Sequence, residues 1–283
     1  MRKKISILLI IMLLIFMVGC AAEETGSIDT DVDPGEGTEA ADGDTAATKD
    51  TLDEIKKRGA LTFAMTGAYP PFNFIDEDGT LIGFDIDIAN AIAEKIGVEA
   101  EPITVLWDGI LAGLTSGRFD MIIGSMAITE ERLEKVNFSN PYYYDGAQFF
   151  GREDLDADDL AEIENAAVGV VTGTTFQNFL VDMENVTDIL QFESDVDNMR
   201  AVQQGRSDGL ITGLLVGLHG IEKFDMPLIP VGNPLYIEEI GIAIRKEDGT
   251  LLEAVNAALQ EMIDDGTYEE ISLKWFGTNI LDN

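Results

Sequence analysis

The segment from Met121 to Arg132, MIIGSMAITEER, runs from an apolar stretch straight into a helix start that carries an arginine in its first turn. Thr129 is placed to cap that helix, because its hydroxyl can accept a hydrogen bond from a free first-turn N–H. The first-turn N–H groups, the positive end of the helix dipole and the Arg132 guanidinium then converge. Such a set predicts an anion site, and the arginine fork suits a carboxylate because it bonds both oxygens. The competing reading is an ordinary surface ion pair with one of the chain's many acids. Elsewhere the chemistry is sparse. The sole histidine, His219, lies in LLVGLHGIEKF, where a capping or surface role is expected, and the sole cysteine is Cys20. No Cys–His set, Walker motif or dinucleotide fingerprint is present, so no metal, cofactor or catalytic nucleophile is expected. Asp85 and Asp87 are paired carboxylates, but at a helix start they suit capping and dipole compensation.

The chain has 283 residues and a formal net charge of −35. That excess argues against nucleic acid or an anionic membrane surface as partner. At the N-terminus, Arg2, Lys3 and Lys4 precede an apolar run from Ile7 to Val18, followed by Gly19-Cys20-Ala21. A basic segment with a short apolar core reads as a secretory signal, too short for a membrane span. Residues 1–19 are therefore expected to be a lipoprotein signal peptide. Cys20, with no partner for an internal disulfide, is the expected lipid attachment point. Residues 20–50 are rich in Asp, Glu, Gly, Ala and Thr and too poor in apolar side chains to offset ordering entropy. They are expected to form an acidic, disordered tether, holding the protein outside the cytoplasm on the outer face of the cell membrane.

About 230 residues remain for folding, enough for two modest cores. Thr51–Glu54 reads as a capping box for a short helix ending near Gly59, and Leu61–Met65 as the first strand. Helices are expected at about 85–96 and 108–117, with a hairpin turn at Asp78-Gly79 and a strand at Met121–Gly124. A second series has strands at Ala167–Val171 and Gly209–Thr212, helices near 175–184 and 194–204, and closing helices at 249–265 and 267–276. Alternating strands and helices predict parallel sheets covered on both faces. Ligands in such folds gather beyond the carboxyl ends of strands. Thr66, Tyr69, Ser125, Thr175 and Thr212 all follow or end expected strands, and Trp107 precedes a helix.

Four segments taken together carry a resemblance: YPPFNF at 69–74, GTLIGFDIDIANAIA at 79–93, WDGILAGLTSGRFDMIIGS at 107–125 and GTYEEISLKWFG at 266–277. With ITEER, and in this order over about residues 51–279, the chain resembles the extracellular amino-acid-binding proteins (family 3 solute-binding proteins) of polar amino acid ABC importers. The resemblance implies an α/β, two-lobe, type II periplasmic-binding-protein-like fold, each lobe a mostly parallel sheet flanked by helices. Lobe one would comprise 51–144 plus 240–283 and lobe two 145–239. Two strands would cross between them near Asp145-Gly146 and Ile240-Gly241, and the lobes would close on the ligand. It further implies a monomeric, non-enzymatic protein that hands a small carboxylate or amino acid to a membrane permease.

Residue by residue, the resemblance makes Arg132 the grip on the ligand α-carboxylate and Thr175, in VVTGTTF, its support from the other lobe. Tyr69 and Trp107 would pack on the ligand side chain. Ser125 would sit at the ammonium pocket, and Thr66 and Thr212 complete the expected set. Two positions depart from the family pattern: Ala127 stands where Ser or Thr is usual, and Gly213 where an Asp is usual. Either another acid, such as Glu238 or Glu239, replaces the lost ammonium partner, or the ligand has no ordinary α-ammonium, as in ectoine-like compatible solutes. A cyclic-carboxylate dehydratase on the same fold is the enzymatic alternative. It requires a general acid in the cleft, and residues 172–176 and 209–214 supply only Thr, Gly and apolar side chains.

Overall fold

The computed structural model describes Asp50–Leu281. The expected signal peptide, Cys20 and nearly all of the expected tether lie outside the described residues. Helix α1 (Thr51–Arg58) precedes strand β1 (Ala60–Met65). A small antiparallel sheet follows, formed by β2 (Ala68–Tyr69), β3 (Asn73–Ile75) and β4 (Leu81–Ile82). Next come α2 (Phe84–Ile96), β5 (Glu99–Thr104), a 3-10 turn at Trp107–Gly109, and α3 (Ile110–Thr115). Strand β6 (Met121–Ala127), α4 (Glu130–Lys135) and β7 (Val136–Phe138) complete this part. The long strand β8 (Tyr143–Arg152) leads to β9 (Ala166–Val171), α5 (Thr175–Val181), β10 (Val186–Phe192) and α6 (Asp195–Gln203). Strand β11 (Gly209–Gly213), α7 (Leu214–Phe224) and β12 (Leu228–Pro230) follow. The second long strand, β13 (Tyr236–Arg245), returns to α8 (Gly249–Asp265) and α9 (Thr267–Phe276).

The main sheet runs β10-β9-β11-β8-β13-β6-β1-β5. Its two wings are parallel, β5-β1-β6 at one end and β10-β9-β11 at the other. Strands β8 and β13 join them at the centre, antiparallel to each other, with Tyr143 opposite Ile240, Asp145 opposite Glu238 and Ala147 opposite Tyr236. Each long strand then continues into one wing, β8 against β11 and β13 against β6. This is the two-lobe type II architecture. The hydrogen-bonded ladder is continuous through the joining strands, so the lobes share one sheet rather than holding two separate ones.

Local physics accounts for most element boundaries. Helix α1 is capped by Asp50, whose carboxylate accepts the Leu52 N–H at 3.0 Å, rather than by the Thr51 box. Thr51 instead donates its hydroxyl to Asp248, because α8 packs beside it. Gly59, Gly97 and Gly277 end α1, α2 and α9 in the left-handed conformation that glycine adopts without steric cost. Ile88 and Ile92 are fully buried on one face of α2, as their spacing requires. The joining strands rest on an aromatic layer: Phe72 stacks on Tyr143 at 4.7 Å, and Phe84 packs edge-on against Tyr143 and Tyr268. Burial of such rings supplies large apolar area, and their geometry fixes where the joining strands sit.

Candidate ligand-binding site

Strand β6 delivers the arginine. It ends at Ala127, and Thr129 caps α4, accepting the Arg132 N–H at 3.2 Å. The Arg132 side chain turns back across this junction. One guanidinium nitrogen donates to the Ala127 carbonyl at 2.8 Å, and the group lies 5.5 Å from the centre of the Trp107 ring. Arg132 is only 8% exposed and makes no ion pair with a described carboxylate. A buried, unpaired cation is costly unless an anion arrives. Burial pulls its pKa down and the facing Glu238 opposes that shift. The surface ion-pair reading is thereby excluded for this residue.

Opposite Arg132 stands the loop before α5. Thr174 caps this helix, accepting the Gln177 N–H at 3.3 Å. Thr175 follows, its hydroxyl donating to Glu238 Oε1 at 2.5 Å. The Trp107 indole N–H reaches across to the Gly173 carbonyl at 3.1 Å. Trp107 is thus occupied on its ring face by Arg132 and on its edge by Gly173.

The floor is polar and acidic. Tyr69 stacks on Phe72 at 5.7 Å, which leaves its hydroxyl end facing the cavity. Ser125 sits at the carboxyl end of the β6 core with φ 58°, a left-handed backbone unusual for a residue with a side chain. Its hydroxyl donates to Asp85 at 3.1 Å and its N–H to the Tyr142 hydroxyl at 3.2 Å. Asp85 also accepts Asn73 Nδ2 and the Tyr142 hydroxyl, both at 2.7 Å. Asp85 is therefore the hub that holds Ser125, not merely a helix-dipole partner; Asp87 takes the surface role, pairing with Lys274 and Trp275. Burial pushes Asp85 up to about 6, its three donors opposing.

One cavity brings together Thr66, Tyr69, Trp107, Ser125, Arg132 and Thr175. Thr212 does not reach it. That residue is fully buried one layer behind, between Tyr69 and Asp195, because adjacent strand positions face opposite ways and Gly213 takes the cavity side. Among the described residues four acids also line the cavity, Asp145, Glu193, Asp195 and Glu238, against Arg132 as the single cationic side chain. Glu238 was a candidate from sequence, whereas Glu239, one residue on, is exposed. Asp145 is the residue that sequence reasoning passed over as a crossing point. Its signal was a lone acid inside YYYDGAQFF, an otherwise uncharged run of nine residues. Burial pushes Asp145 up to about 7, with Glu238 adding to the rise, and burial alone takes Asp195 to about 6. Burial likewise raises Glu238, and burial with the three surrounding acids raises Tyr69 well above the ordinary tyrosine value. Among the described residues no cluster of His, Cys, Asp and Glu is arranged to hold a metal ion.

Residues 61–278 match the Bacterial extracellular solute-binding proteins, family 3. The chain belongs to that family. It is 36% identical over 234 residues to the L-cystine-binding protein TcyJ of Escherichia coli, covering 81% of this chain and 87% of the relative. Holo ArgBP from T. maritima superimposes with a TM-score of 0.71 at 34% identity, covering 79% of this chain and 99% of that one. An ancestral amino acid-binding protein described as a precursor of cyclohexadienyl dehydratase gives 0.75 at 35% identity, covering 80% and 99%. Two of these proteins are named as binders of cystine or of amino acids, and the family is one of extracellular solute-binding proteins. Among the described residues of this solute-binding protein no helix is long and apolar enough to cross a membrane.

Proposed function

We propose that this chain is the substrate-binding component of an ABC importer and captures an amino acid by closing its two lobes around it. The observation that carries this reading is the buried, unpaired Arg132 guanidinium in a cavity walled by both wings of the sheet. A ligand carboxylate that bonds Arg132 from one side and Thr175 from the other touches both lobes. It therefore binds the closed form more tightly than the open one and shifts the population toward closure. We take the lobes to be 51–144 with 240–283, and 145–239, hinged where β8 and β13 pair. The names of the cystine- and arginine-binding relatives support an α-amino acid as the ligand class. Cys20 is the proposed lipid anchor, residues 20–50 the tether, a membrane permease the partner, and a monomer the working form.

A thermal-shift screen of the full chain against the twenty amino acids, followed by calorimetric titration of the best one, tests this function. Binding only to the native state must raise the melting temperature. The Arg132→Met variant should keep its fold and lose about 100-fold or more in affinity. Retained affinity in that variant overturns the assigned site. For the anchor, Cys20→Ser should abolish incorporation of labelled palmitate, and unchanged labelling refutes it.

One observation favours a second reading. The acids missing from residues 172–176 and 209–214 are supplied by other segments, and Asp145 is held near neutrality, where a general acid works. Dehydration of a cyclohexadienyl carboxylate therefore needs its own test. Incubation of the protein with such an acid, followed by ultraviolet absorbance of the aromatic product, should show no rate above buffer; product formation lost in Asp145→Asn establishes an enzyme instead.

A further inference from the structure

We propose that Asp145, on the first joining strand, is the acceptor for the ligand's α-ammonium, and that Gly213 is glycine because its missing side chain leaves Asp145 room to do so. This rests on the amino-acid reading above. Asp145 is 9% exposed and lines the cavity. Its two oxygens have different employment. Oδ1 accepts the Gly146 N–H at 2.9 Å and the Leu215 N–H at 3.4 Å, and so caps α7, a helix whose own N-cap residue has no side chain. The Leu214 N–H also supports the carboxylate, and Oδ2 is turned toward Gly213 and the Tyr69 hydroxyl.

Gly213 shows where Oδ2 points. A Cβ built on residue 213 would overlap Asp145 Oδ2 and come within 2.8 Å of the Tyr69 hydroxyl. Any side chain there would displace the Asp145 carboxylate or the tyrosine. The vacancy at Gly213 and the position of Asp145 are thus two halves of one arrangement.

Charge gives the reason for a cationic guest. Asp145 lies directly opposite Glu238 on the β8–β13 ladder, so both side chains emerge on the same face. Like charges facing each other across a ladder are unfavourable, and burial makes them more so. In the described protein no cationic side chain lines the cavity except Arg132, whose guanidinium stands with Trp107 and Ala127. An ammonium placed at Oδ2 relieves the acid pair while the ligand carboxylate relieves Arg132. Ser125, its hydroxyl proton committed to Asp85, offers a lone pair to the same region. A zwitterion therefore satisfies the orphaned groups of both signs, which a carboxylate without the amino group does not.

The test is calorimetric titration of the full chain with L-arginine and L-cystine and with the corresponding acids that lack the α-amino groups. Wild type should bind at least one amino acid far more tightly than its deaminated counterpart. Asp145→Asn keeps an acceptor for the α7 cap and removes the cost of a buried charge, so at pH 7 it should unfold no earlier than wild type. It should lose about 100-fold in affinity for the amino acid while its affinity for the deaminated acid is unchanged or improved. Gly213→Ala should weaken the amino acid in the same selective way. Arg132→Met should weaken both ligands, which separates the two assignments. If Asp145→Asn binds the amino acid within threefold of wild type while Arg132→Met does not, the Asp145 assignment is wrong and the amino-acid function stands. If wild type prefers the deaminated acid, both are wrong.

Discussion

Four acids with raised pKa values make an unusual demand on a protein of such negative charge: the ligand-free form should gain stability as pH falls from 8 to 5. Burial holds Asp145 up at about 7 and Asp85 and Asp195 up at about 6 in the folded protein, and raises Glu238. Each returns to its ordinary value on unfolding. Between those two values the native state binds more protons than the unfolded state, so unfolding free energy decreases as pH rises. Taking pH 8 to pH 5, Asp145 contributes about 3 kcal/mol and Asp85 and Asp195 about 1 kcal/mol each, so the gain is about 5 kcal/mol. His219, whose pKa is lowered by burial and by Lys223, works against this below pH 6.5. The surface carboxylates held low by lysine or arginine, such as Glu131 and Asp154, lose their contribution only below about pH 4.5. Urea titrations of the ligand-free protein at pH 5, 6, 7 and 8 measure the effect, urea being uncharged and leaving the electrostatics unscreened. Asp145→Asn should remove the part of the slope centred near pH 7 and spare the part near pH 6. A stability that is flat or rising from pH 5 to 8, or a slope unchanged in Asp145→Asn, refutes the argument that these carboxyls are desolvated.

Further outcomes follow from the same contacts. If the ammonium meets Asp145, binding must drive off whatever proton that carboxyl holds. Titration of an α-amino acid at pH 7 in buffers of different ionisation enthalpy should therefore show release of about half a proton. Trp107→Phe removes the indole bond to Gly173 across the cleft. Stopped-flow displacement should show ligand leaving about tenfold faster, with little change in melting temperature of the ligand-free protein. Asp85→Ala strands the donors of Asn73, Tyr142 and Ser125 in the core and should cost about 3–5 kcal/mol in urea titration. A loss below about 1 kcal/mol would show that water or rearrangement satisfies them.

Local rules made much of this protein legible before its shape was known. Helix α2 was readable because Ile88 and Ile92 recur at the helical period and glycines bracket the helix. The closing helices were found to the residue, and the Thr129 cap with Arg132 behind it was visible in six letters, because capping and dipole effects act within one turn. The strands β8 and β13 were harder. Each is half joining strand and half wing, apolar without simple alternation, and its register depends on a partner some ninety residues away. The α1 cap also shifted by one residue, since the choice between Asp50 and Thr51 was made by Asp248, which immediately precedes the distant helix α8.

The divide is sharpest at the site. Sequence alone determined where the proposed carboxylate clamp must sit, since Arg132 follows its strand at a helix start whatever the remainder of the chain does. Sequence alone also showed that residue 213 lacks an acid. It did not determine what stands there instead. Pairing of β8 with β13 sets Asp145 opposite Glu238, packing of α7 sets Gly213 against Asp145, and the strand's alternation turns Thr212 away. Each of those is a long-range contact, and burial, which turns an ordinary aspartate into one that titrates near neutrality, exists only once the chain has closed around it.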